Sequence, residues 1–237
     1  MAVIYDTTMT PGKLELLAAW LPAQPWYLDR GRKPELARAG GFRLDDPLGE
    51  VGIEFMVVAD GFGDQVTAYQ VPMTYRARVL PGADGALIGT SEHGVLGARW
   101  IYDGPRDPVL VAQLAALLQG AAEPQAQSVS HTPDPTVIAE PVLDGSMAAT
   151  GSVAVADGPS GTDLRVGTVS AGGARRGQLV LRLNRVLRPW SDAAPAGSGP
   201  AGSGPAGSGQ AGLSGTWRLP DGTRVRGVLA TARAETP

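Results

Sequence analysis

Glu92-His93-Gly94 is the most site-like local cluster in this chain, a titratable pair set among glycines at 89, 94 and 97. A carboxylate beside an imidazole on a flexible loop could move a proton or grip a polar ligand near neutral pH, where histidine titrates. Trp100 and Tyr102 lie two residues apart on one strand face and could stack on a sugar ring or a base. Glu92, His93, Trp100 and Tyr102 are therefore the candidate ligand-binding residues. Trp20, Trp26 and Tyr27 form a second aromatic group that could stack on a ring, but the favoured reading is a packed core, because aromatic side chains dominate core energetics. Arg182 is a candidate phosphate contact; the plainer reading is a solvent-facing arginine on an amphipathic strand. Asp45-Asp46 resembles the paired carboxylates of glycoside hydrolysis, but the Pro47 that follows marks a turn.

Other chemistries find no residues. There is no cysteine, so disulfides, zinc-thiolate sites, iron–sulfur clusters and thiol nucleophiles are excluded. His93 and His131 are the only histidines, and neither stands in an H-x-D or H-E-x-x-H pattern. No G-x-G-x-x-G follows a strand, and neither G-x-x-x-x-G-K-[ST] nor G-x-S-x-G occurs. No catalytic residue, metal site or resident cofactor is expected. No apolar run reaches the length of a membrane span. The first residues lack the basic and apolar regions of a secretory signal, so a cytoplasmic location is expected.

The 237 residues carry a net charge of −3, which conceals an asymmetry. Residues 1–157 sum to −9 and residues 158–237 to +6. The basic half holds arginines on alternating strands with no aromatic platform among them, so nucleic acid is not an expected partner. Two halves of opposite sign attract each other.

The elements that must position the candidates read as follows. Thr10 as N-cap and Pro11 at the first position open a helix whose stripe is Leu14, Leu17, Ala18 and Leu21. Residues 28–40 read as a charged, exposed stretch, and Phe42–Asp45 as a short strand. Val51–Val58 and Val66–Tyr75 read as an antiparallel pair, with Tyr69, Val71, Met73 and Tyr75 on one face and Pro72 marking an edge or bulge. Ala83–Gly97 reads as a glycine-punctuated connection before a strand at Arg99–Tyr102. Asp107 and Pro108 then open the clearest helix, with Leu110, Leu114, Leu117 and Leu118 as its buried stripe and Gly120 as its stop. Strands are expected at Ser152–Ala156, Asp163–Val169 and Gln178–Arg188, and a hairpin at Trp217–Leu219 and Thr223–Ala232. Pro-Ala-Gly-Ser-Gly occurs three times in tandem over 195–209 and continues imperfectly to Gly215, the composition of a flexible linker.

Several of these segments resemble one family when taken in order. Ala19-Trp20-Leu21-Pro22-Ala23-Gln24-Pro25-Trp26-Tyr27 resembles the opening tryptophan–leucine, tryptophan–aromatic signature of the maltokinase N-terminal cap domain. The strand at Val51–Val58, Tyr69-Gln70-Val71-Pro72, Ala86-Leu87-Ile88-Gly89, and Tyr102-Asp103 with Asp107-Pro108 follow in the family's order. The resemblance covers about residues 10–120 and extends to short bacterial cap-like proteins loosely labelled glucan branching proteins. It implies a curved sheet with helices, similar to cystatin-like folds, packed on the N-lobe of a kinase that phosphorylates maltose from ATP in the trehalose-to-glycogen route. Gln178–Pro189 is more weakly similar to the N-lobe strand carrying the family's ATP-contacting lysine. Arg182 stands at that position, and the exchange is not conservative. The family's catalytic aspartate and metal ligands have no counterpart here, and no barrel of about 250 residues, as a glucan transferase would use, is legible.

The expected architecture is α+β: a curved antiparallel sheet with flanking helices over 1–120, an extended connector over 121–150, and a small antiparallel β domain over 151–233 interrupted by a flexible linker at 191–215. The expected function is a stand-alone, non-catalytic cap-like module that regulates a maltose- or glucan-metabolising partner enzyme. Two other readings stand beside it. One is a binder of a nucleotide or maltooligosaccharide on the concave sheet face at Glu92, His93, Trp100 and Tyr102. The other is a divergent kinase-like protein in which ATP-Mg meets Arg182.

Overall fold

The computed structural model describes residues 7–140, 147–170, 173, 176–190 and 210–235. The elements in chain order are β1 (Met9–Thr10), α1 (Lys13–Trp20), β2 (Leu36–Leu44), β3 (Gly52–Asp60), β4 (Thr67–Arg76), β5 (Leu87–His93), β6 (Gly97–Asp103) and α2 (Pro108–Leu118). There follow β7 (Gln125–Ala126), β8 (Ile138–Ala139), β9 (Met147–Asp157), β10 (Gly161–Ser170), β11 (Arg176–Asn184), β12 (Val186–Leu187), β13 (Gln210–Arg218) and β14 (Arg224–Glu235). All pairings are antiparallel and join one open sheet in the order β1-β5-β6-β4-β3-β2-β13-β14-β11-β10-β9. The architecture is α+β, with most of the chain in the sheet and two short α-helices against it.

The hydrogen-bonded ladder runs across the connector at 121–150. Trp217 of β13 pairs with Gly40 of β2, and this contact joins the two halves of the sheet. Gly40 takes φ 154° at this pairing, a backbone conformation that residues with a side chain rarely adopt. A bulge between Arg38 and Gly40 accompanies it.

Each sheet face has its own core. On one face α2 lays Leu110, Leu114, Leu117 and Leu118 against Phe42, Phe55 and Val57, and the same cluster continues to Leu164, Leu181, Leu213 and Trp217. Phe42 and Phe55 stack with ring centroids 4.5 Å apart. Each fully buried leucine or phenylalanine contributes about 1.5–3 kcal/mol, so this shared cluster is what binds the halves together. On the other face Leu17 of α1 and Leu21 of the turn after it pack against Met56, Val58, Val71 and Met73, with Trp26 and Tyr69 completing the layer. Period two thus places Tyr69, Val71, Met73 and Tyr75 together, as their alternation predicts.

The helix at 108–118 starts where its sequence signals it. The Asp107 carboxylate accepts from Val109 N, and Gly120 stops the helix at φ 72°. Other expectations are corrected. The N-cap of α1 is Gly12, because Thr10 is still extended and paired with Glu92. The charged stretch 28–40 already contains the start of β2 at Leu36, where Asp60 anchors the chain by accepting from Glu35 N. Ala83–Gly97 is no mere connection, since it contains β5, which pairs as a hairpin with β6 beginning at Gly97. A Cβ on Gly89 would meet the end of the Leu16 side chain of α1, which packs over this strand.

Pro72 sits inside an interior strand, not at an edge or bulge. Along one side of β4, β12 pairs with Ala68 and Tyr69, and β6 pairs from Met73 onward. Gln70 N donates to Arg185 O on that side, so two residues on, the missing N–H of Pro72 falls in the gap between partners. Within the glycine-rich tract, Gln210–Gly215 belong to β13, while 191–209 lie outside the described residues.

Candidate functional site

Strand parity decides what the α1 face of the sheet presents. Glu54 pairs with Met73, and Arg43 pairs with Glu54, so these side chains stand on the face that carries Met56 and Val58. Tyr75 pairs with Ile101, and Ser91 with Arg99, which brings Tyr75, Arg99 and His93 to the same face. Helix α1 covers only part of it. Beyond the helix start the face is open and forms a cleft of about 600 Å³, lined by Lys13, Arg43, Glu54, Tyr75, His93 and Arg99.

Glu54 forms the floor. Its carboxylate accepts from Lys13 Nζ at 2.7 Å, from the Tyr75 hydroxyl at 2.5 Å and from Gln127 Nε2 at 2.6 Å. Burial pushes its pKa up, but the Lys13 charge and the three hydrogen bonds outweigh burial and hold it below the ordinary value. Burial, then the adjacent Glu54 charge, raises the Tyr75 hydroxyl well above its usual range. The Lys13 ammonium also lies 5.2 Å from the centre of the Tyr75 ring. Glu54 is thus an ionised carboxylate whose lone pairs are largely committed, a positioning group for the cleft floor and not a free base. On the rim, Asp46 is buried and accepts from the backbone of Leu48, Glu50 and Val51, while Glu50 is exposed.

The sheet separates the residues singled out from sequence. His93 faces the cleft. Burial, then the charge of Arg99, lowers its pKa, and its Nδ1 accepts from Val95 N and Leu96 N. Glu92 alternates to the opposite face at an exposed position. Neither lies on a flexible loop: both end β5, between β1 and β6. Trp100 and Tyr102 do share a strand face, the one away from the cleft. There they pack with Leu80, Ala83 and Ala86, and the Tyr102 hydroxyl accepts from Leu80 N at 2.9 Å. Arg182 is half-exposed on β11 and donates to the Asp163 carboxylate at 2.9 Å.

Sequence reasoning missed Arg185. It is fully buried, meets both Asp103 carboxylate oxygens at 2.7 and 2.6 Å, donates to Thr162 Oγ1 at 2.8 Å, and lies over the Trp26 ring at 4.8 Å. Asp103 has its pKa raised by burial, with Arg185 opposing. This pair joins the acidic and basic halves. Arg185 lies just beyond the end of β11 and packs on Trp26 of the other core, so the alternation of Leu179, Leu181 and Leu183 does not announce its burial. Missed likewise were Lys13, Arg43, Glu54 and Gln127, which sequence separation hides.

Among the described residues no group of three or more His, Cys, Asp or Glu could hold a metal ion. No described helix is long and apolar enough to cross a membrane.

The cleft floor is built from a segment with a recognisable family signature. Residues 20–107 match the maltokinase N-terminal cap domain, a stretch that begins at Trp20 and ends on the N-cap of α2. Arg43, Glu54, Tyr75, His93 and Arg99 fall inside it, and Lys13 and Gln127 reach the cleft from either side. The match covers less than half of the chain, and the remaining strands extend the cap segment's own sheet. No curated protein matches the chain.

Proposed function

We propose that this protein is a maltokinase-cap-like module that works by non-covalent contact in maltose, trehalose or α-glucan metabolism and transfers no phosphoryl or glycosyl group itself. The observation that carries this reading is the cap-domain match over residues 20–107, set in the middle of a sheet that the rest of the chain continues. Phosphoryl transfer rests on positioning and metal clamping by a catalytic carboxylate and metal ligands. The cleft offers two buried carboxylates, Glu54 and Asp46, and both already accept several hydrogen bonds. In this reading the partner is a maltose- or glucan-metabolising enzyme. The test is that enzyme's rate with and without the purified chain. A changed kcat or KM with no turnover by the chain alone supports the module, whereas maltose phosphorylation or glucan transfer by the chain alone overturns it.

The open cleft favours a second reading, in which the chain binds a small polar molecule directly. A thermal-shift series with Mg-ATP, maltose, maltooligosaccharides and trehalose tests it. Ligand at about 100 times its Kd adds roughly 2.7 kcal/mol, which raises Tm by several degrees.

A further inference from the structure

One imidazole closes the tip of the β5–β6 hairpin. His93 pairs with Gly97, and Gly94, Val95 and Leu96 connect them. Gly94 N donates to Thr8 O at 3.1 Å. The next two amides turn to the ring: Val95 N and Leu96 N donate to His93 Nδ1 at 3.3 and 3.1 Å. An imidazole nitrogen accepts only when it carries no proton, so this geometry belongs to the neutral ring with its proton on Nε2. A proton on Nδ1 removes the acceptor that both amides share and sets a third N–H against them. His93 and Leu96 line the cleft and Val95 is exposed beside it, so this turn is part of the cleft wall.

We propose that the β5–β6 turn is an acid-released latch on the cleft wall: neutral His93 holds Val95 and Leu96 in place, and a proton on Nδ1 frees them. The surroundings of the ring set the direction. Lys13 of α1, Arg43 of β2 and Arg99 of β6 line the cleft with it, as do Asp46 and Glu50 of the turn after β2 and Glu54 of β3. Strand β1, paired on the other side, contributes no charged group among its residues. Burial acts first on His93, Arg99 second, and Lys13 adds to them; all three disfavour the imidazolium, against one backbone contact that favours it. The closed turn therefore takes up a proton less readily than a free imidazole, which titrates at about 6.5, and the released turn takes it up at about that value. The released form binds more protons, so it gains as pH falls. The opening is confined to Val95 and Leu96, because the Ser91–Arg99 and Met9–His93 pairings and the Gly94 N to Thr8 O bond do not use Nδ1. The latch does not depend on which ligand or partner the cleft meets.

The test is backbone and histidine NMR on the nitrogen-15-labelled full chain from about pH 8 to about pH 5, above the ordinary carboxylate range. The chain has two histidines, and His131→Gln assigns their Cε1–H signals. The Val95 and Leu96 amide protons should shift with the same midpoint as His93, below the ordinary 6.5. Their order parameters should fall from about 0.85 toward 0.6 or less, while the amides of β3 and β4 stay rigid. His93→Asn isolates the cause, because its Oδ1 is bonded to Cγ as Nδ1 is, accepts from the amides two and three residues on, and does not titrate. That variant should keep the turn ordered across the whole range, and His93→Ala should leave it mobile throughout. Order parameters that stay at the rigid value through the His93 titration overturn the proposal. So does a His93→Asn turn that loosens in acid as the wild-type turn does, or a His93→Ala turn that is rigid at about pH 8.

Discussion

Replacing Arg185 with leucine removes the cation from a buried pair and leaves the Asp103 carboxylate with no cationic partner in the interior. The structure sets the magnitude. Arg185 is 0% exposed and Asp103 5%, with contacts of 2.6 and 2.7 Å to the two carboxylate oxygens. Breaking such a pair from one side costs about 3–5 kcal/mol, whereas replacing both partners with apolar groups is often close to neutral. For a chain of this size Tm moves about 2–4 °C per kcal/mol, so Arg185→Leu should melt roughly 6–20 °C lower. Asp103→Leu/Arg185→Leu should recover most of that loss. Tryptophan fluorescence from the chain's five tryptophans, Trp26 against the guanidinium among them, follows urea and thermal unfolding. A single variant within about 1 kcal/mol of wild type, or a double variant no better than the single, would refute the claim that each partner depends on the other in the interior.

Three further outcomes follow from the geometry. The folded-state pKa of Glu54 lies below its ordinary 4.5, so below about that pH the unfolded chain takes up the proton first and stability falls as pH drops. Urea unfolding between pH 3 and 6 should show this acid slope in wild type and a reduced slope in Glu54→Gln. Asp107→Ala removes the N-cap of α2 and both contacts at 2.6 Å from Arg76, and should cost about 1–2 kcal/mol for the cap alone, read as a shift in urea midpoint. Gly41→Ala would drive a Cβ into Phe55 O at φ 131°, and should give little folded protein by circular dichroism.

Legibility in the sequence tracked how local the cause was. Asp107, Pro108 and Gly120 bound α2 through interactions within a few residues, and β3 and β4 announce themselves by β-branched runs. Strand β5 was hidden because Gly89 interrupts its run, and its partners β1 and β6 are supplied from outside the segment. The start of β2 was hidden because the chain there is anchored by Asp60, 25 residues on from Glu35. The cap resemblance was legible as an ordered series and is matched over 20–107. The cleft was legible only at His93. Its other members come from α1, β2, β3, β4, β6 and the segment at Gln127, and nothing local relates Lys13 to a glutamate 41 residues away. Trp100 and Tyr102 were paired correctly on one face, but the side of the sheet that face turns to depends on which helix lands where.

The most direct test of the account is turnover by the purified chain with Mg-ATP and maltose, followed by ADP release and by phosphorus NMR. The account predicts no maltose-dependent ADP and no phosphorylated sugar at protein concentrations where the same chain alters the rate of a maltose- or glucan-metabolising enzyme. Maltose-dependent ADP formation that scales with the concentration of the chain would contradict it.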